Sequence, residues 1–194
     1  MIINKKQINR KEIDGGIFLV RKKVYKKQHI LAAASDLLEK NSFSAITARN
    51  VAEHMGISTQ PIYLEFKNMD DLKVTLLQTI YASFEREYFS INQSDDLLVS
   101  FSLNYIALAK ARSKLFIALF VDQHSYVQHV RQLTFELFKK CLKTDKRFAS
   151  VSLDSLEKQF ANIWLFVTGM AALNISGILE LSDEEVVSAL KKFE

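Results

Sequence analysis

Two side chains in the stretch from Ile46 to Leu72, ITARNVAEHMGISTQPIYLEFKNMDDL, can read a base edge. Arg49 can bridge O6 and N7 of a guanine, and Gln60 can bridge N6 and N7 of an adenine, each through a pair of hydrogen bonds. Thr59, Tyr63 and Lys67 add polar groups on or near the same side of a helix as Gln60, because Ile62 and Phe66, four residues apart, turn inward. Such a side fits a DNA major groove when a short helix presents it.

The elements that would hold these groups are legible around them. Thr47 can cap a first helix whose apolar stripe is Val51, Ala52 and Met55. Gly56 stops it in a left-handed turn, with Ile57 returning as a buried contact. Ser58 is the expected cap of a second helix, and Pro61, the chain's single proline, falls in its first turn, where a missing N–H does no harm.

This unit resembles the DNA-binding domain of the TetR (tetracycline repressor) family. The resemblance runs from roughly Val24 to Leu77 and rests on ILAAASDLLEKNSFSAIT at 30–47 followed by Gly56, Ile57, Ser58, Tyr63, Phe66 and Leu72 at fixed spacing. It implies that Tyr63 touches phosphate, that Thr47 and Ser58 add backbone contacts, and that Arg49, Thr59 and Gln60 face base edges. The chain departs from the family pattern at Gln60, where a small residue is usual, and at Met69, where a lysine approaches phosphate; the lysine's role passes to Lys67.

Length and composition fit an all-α chain with more than a DNA-reading unit in it. The 194 residues include only 5 glycines and 1 proline, and 48% are apolar. Charge is uneven: residues 1–70 hold 12 Lys/Arg against 7 Asp/Glu, whereas residues 71–194 hold 14 against 15. The basic part is the part that would meet phosphate.

The expected division is an arm at 1–20 without regular structure, a helix-turn-helix domain at 21–68, and a helical regulatory and dimerisation domain at 69–194. In the arm, Lys5, Lys6, Arg10 and Lys11 lack a sustained apolar period and Gly15 and Gly16 interrupt it. It could follow a minor groove, or the glycines could be a translated ribosome-binding site ahead of a native start at Val20. Helix 1 is expected from Arg21 to Lys40, and a linking helix from Met69 to Phe89, capped by Asn68 with Asp70 and Asp71 in its first turn. Further helices are expected at 95–111, 113–122, 126–143, 154–179 and 183–194. Asp154 with Glu157 and Ser182 with Glu185 read as capping boxes for the last two.

The resemblance places a ligand cavity in the C-terminal helices and the dimer interface on the last two. Most aromatic residues there are core, so polar-tipped Tyr105, His124, Tyr126, His129, Asn162 and Trp164 are the candidates for orienting a mostly apolar effector, with Phe101 and Phe120 as apolar walls. Gly169, Ala171, Ala172 and Gly177 would let two helices approach closely. A homodimer on a palindromic double-stranded operator, released by a small molecule, is the implied repressor; activation is not excluded by any residue.

Other classes find less support. His124 and His129 lie about 140° apart on a helix, which disfavours a shared metal, and neither metal nor cofactor is expected. There is no phosphate loop, HExxH, nucleophile elbow or paired-cysteine motif, so no enzyme is expected. The single Cys141 and the lack of a secretory pattern point to the cytoplasm. Residues 161–179 carry no charge, but Asn162, Thr168, Asn174 and Ser176 favour a helix buried on two sides over a membrane span. The leading alternative is a helical DNA-binding protein controlled by a protein partner with no small-molecule effector.

Overall fold

The computed structural model describes residues 8–13, 16–21 and 25–191. Helices dominate, and one short antiparallel hairpin precedes them. β1 (Ile8–Ile13) pairs with β2 (Gly16–Arg21) in a register that sets Ile13 opposite Gly16 and Ile8 opposite Arg21. This corrects the expectation of an arm without regular structure.

α1 (Lys27–Lys40) also starts later than its apolar period implied. Residues 16–21 are spent in β2, and Lys26 and Lys27 make the bonds that start the helix. The Lys26 N–H donates to Nδ1 of His29 at 3.1 Å, and the Lys27 N–H donates to the Glu65 carboxylate at 3.2 Å. That second acceptor is 38 residues away, so tertiary contact helps decide the boundary. Ile30, Ala34 and Leu38 are fully buried on the inner face, with Leu37 half-buried.

A 3₁₀ turn at Phe43–Ala45 leads to α2 (Ala48–Met55), α3 (Gln60–Glu65) and α4 (Met69–Glu87). Asn68 caps α4 as expected, its side-chain oxygen accepting the Asp71 N–H at 2.8 Å. α4 packs on α1 at one end and on α7 (Val127–Cys141) further along, so it joins the two halves of the molecule. Tyr81 fixes the second contact: its buried hydroxyl bonds the Val130 carbonyl at 3.1 Å and the Thr134 hydroxyl at 2.6 Å.

α5 (Leu97–Ala111) is the centre of the C-terminal half, packed by α6 (Ser113–Phe120), α7, α8 (Leu153–Ile175) and α9 (Asp183–Leu190). Every residue from Leu98 to Ile106 is buried. Its polar members are satisfied: the Ser100 hydroxyl accepts the Gln93 N–H, Ser102 donates to the Leu98 carbonyl, and Asn104 donates to the Ile91 carbonyl. Ser182 and Glu185 form the expected capping box of α9. The cap of α8 is Ser152, which accepts the Ser155 N–H at 3.3 Å, and not the expected Asp154, which lies inside the first turn. α8 ends at Ile175 as Gly177 takes a left-handed φ of 73°, so the uncharged run 161–179 is a helix plus its turn. No helix among the described residues is long and apolar enough to cross a membrane.

Candidate nucleic-acid interface and regulatory cleft

The α2–turn–α3 unit is built as a rigid corner. Thr47 accepts the Asn50 N–H at 3.1 Å and so starts α2. Gly56 ends it at φ 65°, ψ 38°, where a side chain would be strained, and the Ile57 N–H returns to the Ala52 carbonyl at 2.9 Å. Ser58 is not the cap of α3. Thr59 holds that position in helical geometry, without a side-chain cap bond, and Pro61 sits within the first turn.

Ile62 and Phe66 are buried at 1% and 2% exposure and anchor α3 to the core. The opposite side is open. Thr47, Arg49, Ser58, Thr59, Gln60, Tyr63 and Lys67 are all exposed, with Thr47 and Arg49 at the start of α2 and the others in or beside α3. The Lys67 backbone N–H is bound by Asp71 at 3.0 Å, which fixes the corner between α3 and α4 and leaves its side chain outward. Leu64, absent from the sequence-based set, is the most exposed large apolar side chain of this unit at 77%.

Residues 30–74, which span α1 to the first turn of α4, match the model for bacterial regulatory proteins of the tetR family. The matched segment is of the tetR helix-turn-helix type. The match covers the helix-turn-helix domain, and a C-terminal helical domain follows it. Solved structures share the fold over both halves. The TetR-family protein from Streptomyces coelicolor A3 aligns with a TM-score of 0.62 at 15% identity, over 86% of this chain and 96% of its own. The transcriptional regulator FadR from Bacillus subtilis, solved with stearoyl-CoA, aligns at 0.60 and 15% identity, over 87% and 97%. FadR of Bacillus halodurans, a fatty acid degradation regulator, aligns at 0.59 and 16%, over 89% and 94%. No curated protein matches the chain in sequence.

Of the expected ligand residues, Phe101, Tyr105, Phe120, His124, Tyr126 and Trp164 fall in two places. Phe101, Tyr105, Phe120 and Trp164 belong to one packed aromatic core. The Trp164 indole donates to the Tyr105 hydroxyl at 3.0 Å, which lies 3.1 Å from the Thr168 hydroxyl, and burial pushes the Tyr105 phenol well above its ordinary pKa. Trp164 stacks on Phe160 at 5.4 Å, and Phe120 sits 5.4 Å from Tyr105.

His124 and Tyr126 lie instead where the α6–α7 loop meets the helix-turn-helix domain. Both rings stack on Phe43, at 4.7 and 5.1 Å. His124 is held through both nitrogens, Nδ1 accepting the Tyr126 N–H at 3.1 Å and Nε2 lying 3.0 Å from the Leu119 carbonyl. The Tyr126 hydroxyl donates to Asp70, and Lys73 lies over its ring at 5.4 Å. Partial burial and that carboxylate raise the phenol to about 12. His129 and Asn162 are exposed.

A cleft of about 650 Å³ opens between α4, α5 and α7. Phe89, Leu97, Phe101 and Leu137 give it apolar walls, and Arg86, Glu85 and Lys140 stand at its charged side. Phe101 is the one expected ligand residue on it. Cys141 also lines it, its thiol pushed up to about 11 by burial and by Glu85, so it is a poor nucleophile at neutral pH.

Proposed function

We propose that this regulator is a homodimeric repressor that leaves a palindromic operator when a small, largely apolar molecule occupies the α4–α5–α7 cleft. The observation that carries the DNA step is the outward polar face of α3, held by buried Ile62 and Phe66 and flanked by Arg49. In this reading Arg49, Thr59 and Gln60 face bases, while Thr47, Ser58, Tyr63 and Lys67 meet the backbone.

Dimerisation is supported by an unpartnered stripe along α8. Leu165 is 76% exposed and Leu173 42%, with exposed Gly169 between them one helical turn from each. The domain division falls at 68/69, the start of α4, which carries a change in the cleft toward the reading unit. The cleft's apolar walls suit an apolar tail, and FadR's stearoyl-CoA has one; an anionic head there would compete with Glu87 for Arg86 and with Glu85 for Lys140.

A second reading has support from the filled core around Tyr105 and Trp164, which favours control by a protein partner without any small effector. Selection of random DNA by the purified protein, followed by gel-shift titration with stearoyl-CoA and stearate, separates the two. A palindromic enriched site whose complex dissociates with either ligand is expected. A stable complex at saturating levels of both removes the acyl-ligand reading. Failure to enrich any sequence removes the operator-binding reading as well.

A further inference from the structure

We propose that Leu64 is a base-reading residue of this chain and that it recognises the C5 methyl group of a thymine in the major groove. The inference rests on the DNA-reading function above. It starts from an anomaly on α3: a leucine 77% exposed on a six-residue helix whose other large aliphatic, Ile62, is 1% exposed.

Counting about 100° per residue from Ile62, Gln60 and Leu64 each fall about 160° away, so they form the ridge opposite the buried face. Tyr63, about 100° from Ile62, lies on its flank and is less exposed at 56%. Glu65 falls on the other flank, where its carboxylate is engaged by the Lys27 N–H at 3.2 Å. The ridge that penetrates deepest into a groove therefore ends in one amide and one isobutyl group.

An isobutyl group cannot hydrogen-bond a phosphate or a base edge. The one apolar group displayed in the major groove is the thymine methyl. Burying it against Leu64 removes apolar surface from water on both partners, which gives the leucine a reason to be exposed in the free protein. Gln60 and Leu64 are separated by a rise of about 6 Å, close to two base-pair steps of about 3.4 Å. Leu64 should thus read a thymine within two base pairs of the position read by Gln60.

The test uses the full-length protein and the operator obtained by selection. Each thymine is replaced in turn by deoxyuridine, which removes only the methyl group and keeps base pairing. One position per half-site, within two base pairs of the one relaxed by Gln60→Ala, should lose about fourfold in affinity, the factor expected for one buried methyl. Leu64→Ala should abolish that loss, and Gln60→Ala should retain it. Cytosine placed at the same position should bind more tightly when 5-methylated, for the wild type and not for Leu64→Ala. The proposal is overturned if deoxyuridine is neutral at every thymine, or if the uridine penalty survives Leu64→Ala. It also falls if no thymine lies within two base pairs of the Gln60 position. An enriched operator with any of these results sinks the leucine inference alone, whereas no enrichment sinks the DNA-reading function on which it rests.

Discussion

The Tyr126 hydroxyl donates to the Asp70 carboxylate, tying the loop before α7 to the first turn of α4. Asp70 lies at a helix N-terminus, where negative charge is favoured, so the carboxylate is held ready to accept. Phe43 lies against both Tyr126 and His124, and the Arg112 guanidinium at the head of α6 bonds Glu39 of α1. The helix-turn-helix domain is thus gripped by α6 and by the loop that follows it.

Tyr126→Phe keeps the ring on Phe43 and removes the bond to Asp70. Stability should fall by about 1 kcal/mol, a typical value for one hydrogen bond, and any effector should act at a changed midpoint while base preference stays the same. Urea unfolding and gel-shift titration check this. An unaltered effector midpoint would show that this contact does not couple the two halves.

Tyr105→Phe leaves the half-buried Trp164 indole without its 3.0 Å partner. The expected cost is about 1 kcal/mol, a typical net value for one hydrogen bond. Chemical denaturation measures it, and operator choice should not move.

Arg147 bonds Asp96 and Asp145 and holds both carboxyls below the ordinary aspartate range, chiefly through its hydrogen bonds. A carboxylate whose pKa is lowered by folding stabilises the fold above its unfolded value, and that contribution is lost as pH falls toward the folded value. The wild type should therefore lose stability below about pH 4. Arg147→Ala should be less stable at neutral pH by about 0.5–1 kcal/mol, a figure discounted for solvent screening, and should lose less on acidification. Urea midpoints at pH 7 and pH 3 for both proteins decide it; parallel losses would place the acid sensitivity elsewhere.

Leu165→Lys alters a side chain that is 76% exposed in the protomer, so the fold should survive. Sedimentation velocity should report a dimer for the wild type and a monomer for the variant, with weaker operator binding. A dimeric variant would move the interface off this face of α8.

Lys67→Ala should weaken binding to all sequences and lower the salt slope by about one unit. Arg49→Ala should instead relax preference at one base pair per half-site, by about 1–3 kcal/mol. Fluorescence anisotropy across a salt series distinguishes the two.

The helix-turn-helix was readable because its signals are local. Thr47, Gly56, Asn68 and the Ile62/Phe66 spacing act within one or two turns, and each appears where its chemistry places it. Local rules also misled: Ser58 and Asp154 look like caps, yet Thr59 and Ser152 hold those positions. Leu64 carries no hydrogen-bonding group that would mark it for base reading, and only its exposure singles it out.

The amino-acid sequence alone therefore determined the predominance of helices, the positions of most of them and the exposed polar set from Thr47 to Lys67, since periodicity, caps and turn residues act over a few positions. Tertiary structure decided where α1 begins, through Glu65. It also separated six similar-looking aromatic and histidine residues into a packed core and a domain junction. Tyr105 and Trp164 are 59 residues apart, and Tyr126 and Asp70 are 56 apart. Contacts at such distances depend on how whole helices cross, which no short window of sequence encodes.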